Sequence, residues 1–213
     1  HAALTIKALL AGKHVFVEKP LCLTEDELKD IRSVYEKKAP DGLQLMVGFN
    51  RRFSPHAQEA GRFFASRVNP LVMLYRINAG RIPADHWVQH PDIGGGRLIG
   101  EMCHFVDYMQ ALSASSPTSV YASRIGRHSS GITDDQCSIV VNFADGSIGT
   151  IIYTAEGDSE LPKERFEAHA DGKSLVMNDF IETQTYKDGK STVFKTAKRD
   201  KGFTEEMSRF VKS

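Results

Sequence analysis

AGKHVFVEKPLCLTEDELKD (11–30) holds a strand, a turn and a helix start in one short segment. Val15, Phe16 and Val17 form an unbroken apolar run, the pattern of a strand buried on both faces of a parallel sheet. Pro20 ends the run, because it has no backbone N–H to give a ladder. Thr24 opens a helix, and Glu27 three residues later completes a capping box. The pattern carries that helix to about Lys38, with Leu28, Ile31 and Tyr35 facing inward. Upstream, AALTIKALLA (2–11) places Leu4, Ala8 and Ala11 on one helical stripe, with Gly12 as its stop. Downstream, Pro40, Asp41 and Gly42 turn the chain into a second apolar strand, Leu43 to Phe49. Helix, strand, helix, strand predicts parallel strands joined by crossovers. Two strands are too few for a doubly wound sheet, so residues 1–49 read as the last part of one.

Beyond Asn50 the pattern changes. Ser54 and Pro55 start a helix reaching about Ser66, and a strand follows at Leu71 to Ala79. An irregular segment, Gly80 to Gly96, leads into a helix over roughly Leu98 to Leu112. After Ser119 the chain becomes strand-rich. Ser138–Phe143 and Ile148–Thr154 flank Ala-Asp-Gly-Ser; Arg165–Ala170 and Ser174–Met177 flank an Asp-Gly pair; Thr183–Tyr186 and Thr192–Lys195 flank Asp188-Gly189. Repeated hairpins predict a mostly antiparallel sheet with the two earlier helices on one face. Thr204 begins a last helix that stops at Ser213 and reads as truncated. Residues 50–213 are therefore expected to be an α+β domain.

Composition narrows the function classes. The chain has 213 residues, 41% hydrophobic and 25% charged, ordinary for a globular protein. Lys plus Arg and Asp plus Glu are each 27, so no net charge draws it to nucleic acid or to an anionic membrane. No apolar run nears the roughly 20 residues that span a bilayer. Three cysteines (Cys22, Cys103, Cys137), odd in number and widely spaced, favour a reducing compartment, and a cytoplasmic location is expected.

Lys19 directly follows a buried strand, where ligands of open α/β sheets sit, so it faces a crevice or forms a surface ion pair with Glu18. His104 lies among Cys103, Phe105 and Val106 on the helix after Gly94-Gly95-Gly96. It reads as a general base oriented by Asp107 three residues on, or as a core histidine bonded to a backbone carbonyl. Gly94–Gly96 carries no dinucleotide or P-loop pattern. His86 and His90 stand four apart, but Pro83, Pro91 and Gly94 argue against the helix a zinc pair needs, so no metal is expected. Trp87, the single tryptophan, reads as a core anchor or as a wall of a sugar pocket.

His1, ALLAGKHVFVEKP (8–20), VGFNRRFSP (47–55), the Trp87 loop with GGGRLIGEMCHFVD (94–107), and FADGSIGTIIYTAEGD (143–158) together resemble the glucose–fructose oxidoreductase/inositol dehydrogenase/MocA family. The order and spacing hold over almost the whole chain. PKERFEAHADGKSLVMNDF (162–180) is similar to a subgroup fused behind a zinc-type alcohol-dehydrogenase-like module. The resemblance implies an N-terminal Rossmann domain binding NAD or NADP, of which residues 1–49 are the remnant. It also implies a substrate-binding and dimerisation domain, residues 50–213, with a large open sheet through which homo-oligomers form. The implied reaction moves a hydride between the nicotinamide and a sugar or polyol hydroxyl or ketone. Lys19 matches the lysine that contacts the substrate hydroxyl and the nicotinamide region, and His104 matches the proton acceptor. Glu18 and Pro20 match residues shaping the cofactor crevice, which His1 and Lys19 border. Asn50, Arg51, Trp87 and Glu101 are the expected substrate contacts.

Two departures stand out. Many members carry an Asp one helical turn before the histidine, where this chain has Gly100; Glu101 is adjacent but rotated by about 100°. The glycine-rich dinucleotide loop precedes the part of the family pattern seen here, so the fragment alone is expected to bind cofactor weakly. The competing expectation is a non-catalytic sugar-binding or dimerisation module.

Overall fold

The computed structural model describes residues 1–126 and 135–212. Ser213, where the sequence pattern ends the last helix, lies outside them. The first unit is α1 (Ala2–Leu10), β1 (Val15–Val17), α2 (Glu25–Lys38) and β2 (Leu45–Val47), with β1 and β2 paired in parallel. Thr24 caps α2 as its sequence predicts: its side chain accepts from Glu27 N, while the Glu27 carboxylate accepts from Thr24 N. Gly42 turns the chain into β2 at φ 80°, a backbone that L side chains rarely adopt.

Two expected inward stripes need correction. Leu4 is 74% exposed, and α1 instead buries Ala2, Thr5 and Leu9. Both stripes satisfy helical spacing. The sheet beneath has two strands of three residues, and from α1 Leu9 and, partly buried, Ala8 meet its cluster with Val15 and Val17. In α2, Ile31 is buried and Tyr35 is half-buried, but Leu28 is 47% exposed, and Val34 packs on the cluster instead.

The second unit is built on one eight-stranded sheet. Its elements are α3 (Pro55–Phe64), β3 (Val72–Asn78), α4 (Gly96–Ser113), β4 (Pro117–Arg124), β5 (Gln136–Phe143), β6 (Ile148–Thr154), β7 (Glu164–Ala170), β8 (Lys173–Asn178), β9 (Glu182–Lys187), β10 (Lys190–Lys195) and α5 (Phe203–Lys212). The strand order is β10-β9-β8-β7-β3-β6-β5-β4. Every pairing is antiparallel except β3 with β6. Asp171-Gly172 and Asp188-Gly189 each take two successive positive φ angles, the turn that matches strand twist in a two-residue hairpin. β3, which comes early in the chain, is inserted between β7 and β6; hairpin signals alone do not reveal that.

α3 and α4 cover one face. Met73, Tyr75 and Ile77 alternate inward on β3 and meet Phe105, Tyr108 and Met109 of α4. Tyr75 stacks edge-on to Phe105 and Phe166 with ring centroids 4.9 and 5.3 Å apart. On the opposite face Val72, Ile148 and Ile152 are exposed. α5 returns to the first unit, where Phe210 meets Phe16 at 5.6 Å.

Candidate functional site

The site begins where β1 ends. Lys19 does not pair with its neighbour Glu18 in the ion pairs formed; its Nζ donates to the Gly100 carbonyl of α4 at 3.0 Å. The Lys19–Pro20 peptide is cis, and the Pro20 carbonyl lies 2.6 Å from His1 Nδ1. Gly100 stands four residues, one helical turn, before His104. The Lys19 ammonium therefore docks on α4 one helical turn before the imidazole.

A cleft of about 340 Å³ opens here, lined by His1, Lys19, Pro20, Trp87, Gly100 and Glu101 among others. Its volume is at the small end of the roughly 300–1,000 Å³ typical of ligand sites. Trp87 is 60% exposed and forms a wall of the cleft, so it is no core anchor. Gly94 brings the Trp87 turn against α4: a Cβ there would overlap the Val88 backbone. His86 and His90 each accept at Nδ1 from a backbone N–H of their own loop, from Val88 and Asp92. Glu101 is held by Arg97 at 3.2 Å and Lys163 at 3.7 Å. Arg97 in turn bonds Tyr153 and the Gly80 carbonyl, which fixes the start of α4 to the sheet.

His104 is 6% exposed, beside Phe49 and Phe105, and its Nδ1 has no hydrogen-bond partner. An unsatisfied buried nitrogen costs about 1–3 kcal/mol, so it marks either strain or an acceptor waiting for a ligand. Burial, reinforced by the charges of Arg51 and Lys19, pushes its pKa down to about 2. The ring is therefore neutral across the physiological range.

Asp107 does not orient His104. Its carboxylate pairs with Arg52, although three-residue spacing put it on the same side of the helix. His104, Asn50 and Arg51 lie outside the cleft lining. Asn50 is buried and donates to the Lys201 carbonyl at 2.9 Å. Arg51 makes a two-pronged ion pair with Glu164, both bonds 2.8 Å. Glu164 also accepts from Lys201 Nζ at 2.5 Å and Tyr75 OH at 2.7 Å. Burial opposes its ionisation, but Arg51 and Lys201 outweigh that and hold the carboxyl far below the usual range. Sequence reading missed this cluster. One signal was available: period-2 alternation puts Glu164 on the face of Phe166 and Ala168, and a carboxylate on an apolar face needs a cation.

A larger cavity, about 530 Å³, lies at the far ends of β3 and β6. Its charged lining residues are mutually paired, Arg81 with Glu156 and Arg199 with Asp179. Lys163 reaches from it to Glu101 in the first cleft. Among the described residues no group of three His, Cys, Asp or Glu side chains is placed to hold a metal, and no helix is long and apolar enough to cross a membrane.

Residues 1–49 match the family model described as "Oxidoreductase family, NAD-binding Rossmann fold", and residues 70–176 match the "GFO/IDH/MocA C-terminal domain". An oxidoreductase of Bacillus subtilis, YrbE, is 24% identical over all of this chain and 64% of its own length. Inositol 2-dehydrogenase of Rhizobium meliloti is 30% identical over 79% of this chain and 51% of its own. A levoglucosan dehydrogenase structure in complex with NADH superposes with a TM-score of 0.76 at 23% identity, covering 95% of this chain and 60% of that one. The chain thus spans about half to two thirds of the length of these relatives. With both family models matched in order and the same fold in a solved relative, the chain belongs to the Gfo/Idh/MocA oxidoreductase family.

Proposed function

We propose that the protein this chain represents is an NAD(P)-dependent dehydrogenase acting on a sugar or polyol, with Lys19 and His104 as its catalytic residues. The observation that carries this reading is the 3.0 Å bond from Lys19 Nζ to Gly100, which sets the ammonium one turn from an imidazole whose Nδ1 has no partner. The groups present fit a nicotinamide. The cleft lies beyond the carboxyl end of β1, with Lys19 and Gly100 in its wall, and His104 stands one helical turn along α4 from Gly100. His1, Glu18, Lys19 and Pro20 would border the cofactor. Bound there, a nicotinamide would supply the acceptor for the hydride of the carbinol carbon. Lys19 stabilises negative charge growing on the substrate oxygen. His104, neutral and without a partner at Nδ1, takes the hydroxyl proton. Trp87 gives the apolar face of a sugar a surface to stack on, and Glu101 accepts from a hydroxyl. Asn50 and Arg51 support the site from beneath.

The substrate class is drawn from the similar inositol, xylose and levoglucosan dehydrogenases. Homo-oligomers form through the open sheet face, which the exposed Val72, Ile148 and Ile152 support, and a cytoplasmic setting is consistent with the cysteine pattern. The test is turnover of Lys19→Ala and His104→Ala in the protein carrying its complete dinucleotide-binding domain, with inositols and pentoses as probes. Each substitution lowers turnover by about 10²-fold or more. Wild-type rates in both, or a bound sugar with no change in nicotinamide absorbance in the parent protein, would favour the non-catalytic module.

A further inference from the structure

Glu101 lines the cleft from the second turn of α4, beside the carbonyl of Gly100 that takes Lys19. Two cations hold its carboxylate, Arg97 at 3.2 Å from one oxygen and Lys163 at 3.7 Å from the other. Arg97 stands one turn earlier on α4 and is 1% exposed. Its other N–H groups are committed to the end of the sheet. Nε donates to Tyr153 OH at 2.6 Å, Nη1 to the Gly80 carbonyl at 3.0 Å, and Nη2 to the Ala79 carbonyl at 3.4 Å. The guanidinium is thereby pinned between α4, β6 and the segment after β3, and it cannot follow Glu101 if that side chain moves.

The Glu164 carboxylate shows what a purely internal acceptor looks like in this fold. It is fully buried and accepts four bonds of 2.5–2.8 Å. Glu101 differs on both counts: its side chain is 20% exposed, and its ion contacts are long. A carboxylate has about four lone-pair sites, so Glu101 keeps acceptor capacity toward the cleft. A carboxylate only accepts and an ammonium only donates. In the reaction proposed above, the reacting hydroxyl accepts from Lys19 and gives its proton to His104. The donor for Glu101 must then be a different hydroxyl of the same molecule.

We propose that Arg97, with Lys163 in support, is a positioning residue that holds Glu101 as the acceptor for a second substrate hydroxyl, so that the cleft selects polyols over molecules with a single hydroxyl. The proposal rests on the reading of Lys19 and His104 as the catalytic pair. It concerns binding rather than hydride transfer, so the two can be tested apart. Trp87, in the wall of the same cleft, offers its ring to the carbon face of such a ligand.

The experiment is calorimetric titration of the protein carrying its complete cofactor domain, with the reduced nicotinamide present so that the probe is not oxidised. The probes are myo-inositol, D-xylose and levoglucosan, with cyclohexanol as the single-hydroxyl control. Glu101→Gln should weaken the tightest polyol by about 10-fold or more, the loss of a hydrogen bond to a charged acceptor, and leave the weak binding of cyclohexanol unchanged. Arg97→Lys should also weaken the polyol, but make no further difference when Glu101 is already Gln, because it acts through that carboxylate. Circular dichroism reports the fold. If Arg97→Lys does not fold, Lys163→Met, whose side chain is 38% exposed, carries the same double-mutant cycle. Unchanged polyol affinity in Glu101→Gln overturns the proposal, as does binding of none of the three polyols by the parent protein. An Arg97→Lys or Lys163→Met loss that persists in full beside Glu101→Gln shows a general structural role and also overturns it. Turnover of Lys19→Ala and His104→Ala addresses the catalytic pair alone, and either result there leaves these affinity ratios to be read on their own.

Discussion

Replacing Glu164 by Ala should be among the most damaging single changes in the second unit. The carboxylate is 0% exposed and accepts two bonds of 2.8 Å from Arg51, one of 2.5 Å from Lys201 and one of 2.7 Å from Tyr75. Removing it leaves a buried guanidinium, a partly buried ammonium and a buried phenol without their acceptor. Breaking a buried ion pair from one side costs about 3–5 kcal/mol, because the remaining charge stays desolvated. For a chain of this size each kcal/mol moves the melting midpoint by about 2–4 °C, so a drop of roughly 6–20 °C is expected. Urea denaturation at neutral pH, followed by circular dichroism, gives the free-energy difference directly. Glu205→Ala is the control: its pair with Arg209 is exposed and lies at four-residue spacing, so its loss should cost about 0.5 kcal/mol or less. The depressed Glu164 carboxyl gives stability that is present above its unfolded value, near 4.5, and lost only as pH falls through its far lower folded value. Mild acid should leave this contribution in place. A Glu164→Ala penalty below about 1 kcal/mol, no larger than the control, would refute the reasoning.

Other outcomes follow from single positions. Thr24→Ala removes the side-chain half of the capping box and should cost about 1 kcal/mol by urea denaturation. At Gly100 a Cβ would meet nothing nearer than the Gly94 carbonyl at 3.8 Å, so Gly100→Asp should fold. Its carboxylate, one turn from His104 and beside Lys19, should raise the His104 titration midpoint by about 1–3 units; an unmoved midpoint would count against the shared geometry of these three positions. Glu206 is buried, and burial with Glu18 and Asp107 nearby pushes its pKa up to about 7. Its raised value lends stability that is lost as pH rises from about 4.5 through 7, whereas His104 and His56, both lowered, lose stability as pH falls below about 6.5. The slopes oppose each other in wild type. In Glu206→Gln the histidine slope should emerge, with stability rising between pH 5 and 6.5 by up to about 1.4 kcal/mol per unit for each histidine; a flat profile in urea titrations of that variant would contradict the assignment.

What the sequence disclosed was mostly local. The Thr24 box, the Ser54 cap and the Asp-Gly turns are contacts between residues a few positions apart, and each fixes its element without help from the rest of the fold. Lys19 was identifiable for a related reason, since a strand end is a position in an open sheet that the local pattern reveals. The failures are of a different kind. Leu4 and Leu28 have correct helical spacing, but which stripe is buried depends on how wide a surface lies beneath. Asp107 had the right spacing for His104, yet a guanidinium 55 positions away in the chain competes better for a carboxylate than a neutral ring does. The Arg51–Glu164 pair spans 113 positions, and β3 pairs with β6 across 76, as in Val72 opposite Ile148. Neither has a local signature beyond one carboxylate on an apolar strand face.

The most direct test is a double-mutant cycle on the rate of nicotinamide reduction, using Lys19→Ala, His104→Ala and the pair together, in the protein with its whole cofactor domain. If the ammonium and the imidazole act on one substrate oxygen, the double variant will be little slower than the slower single variant, because groups working as a unit are strongly non-additive. Losses that simply multiply, or single variants as fast as the parent, would mean that the two side chains do not meet on a common substrate.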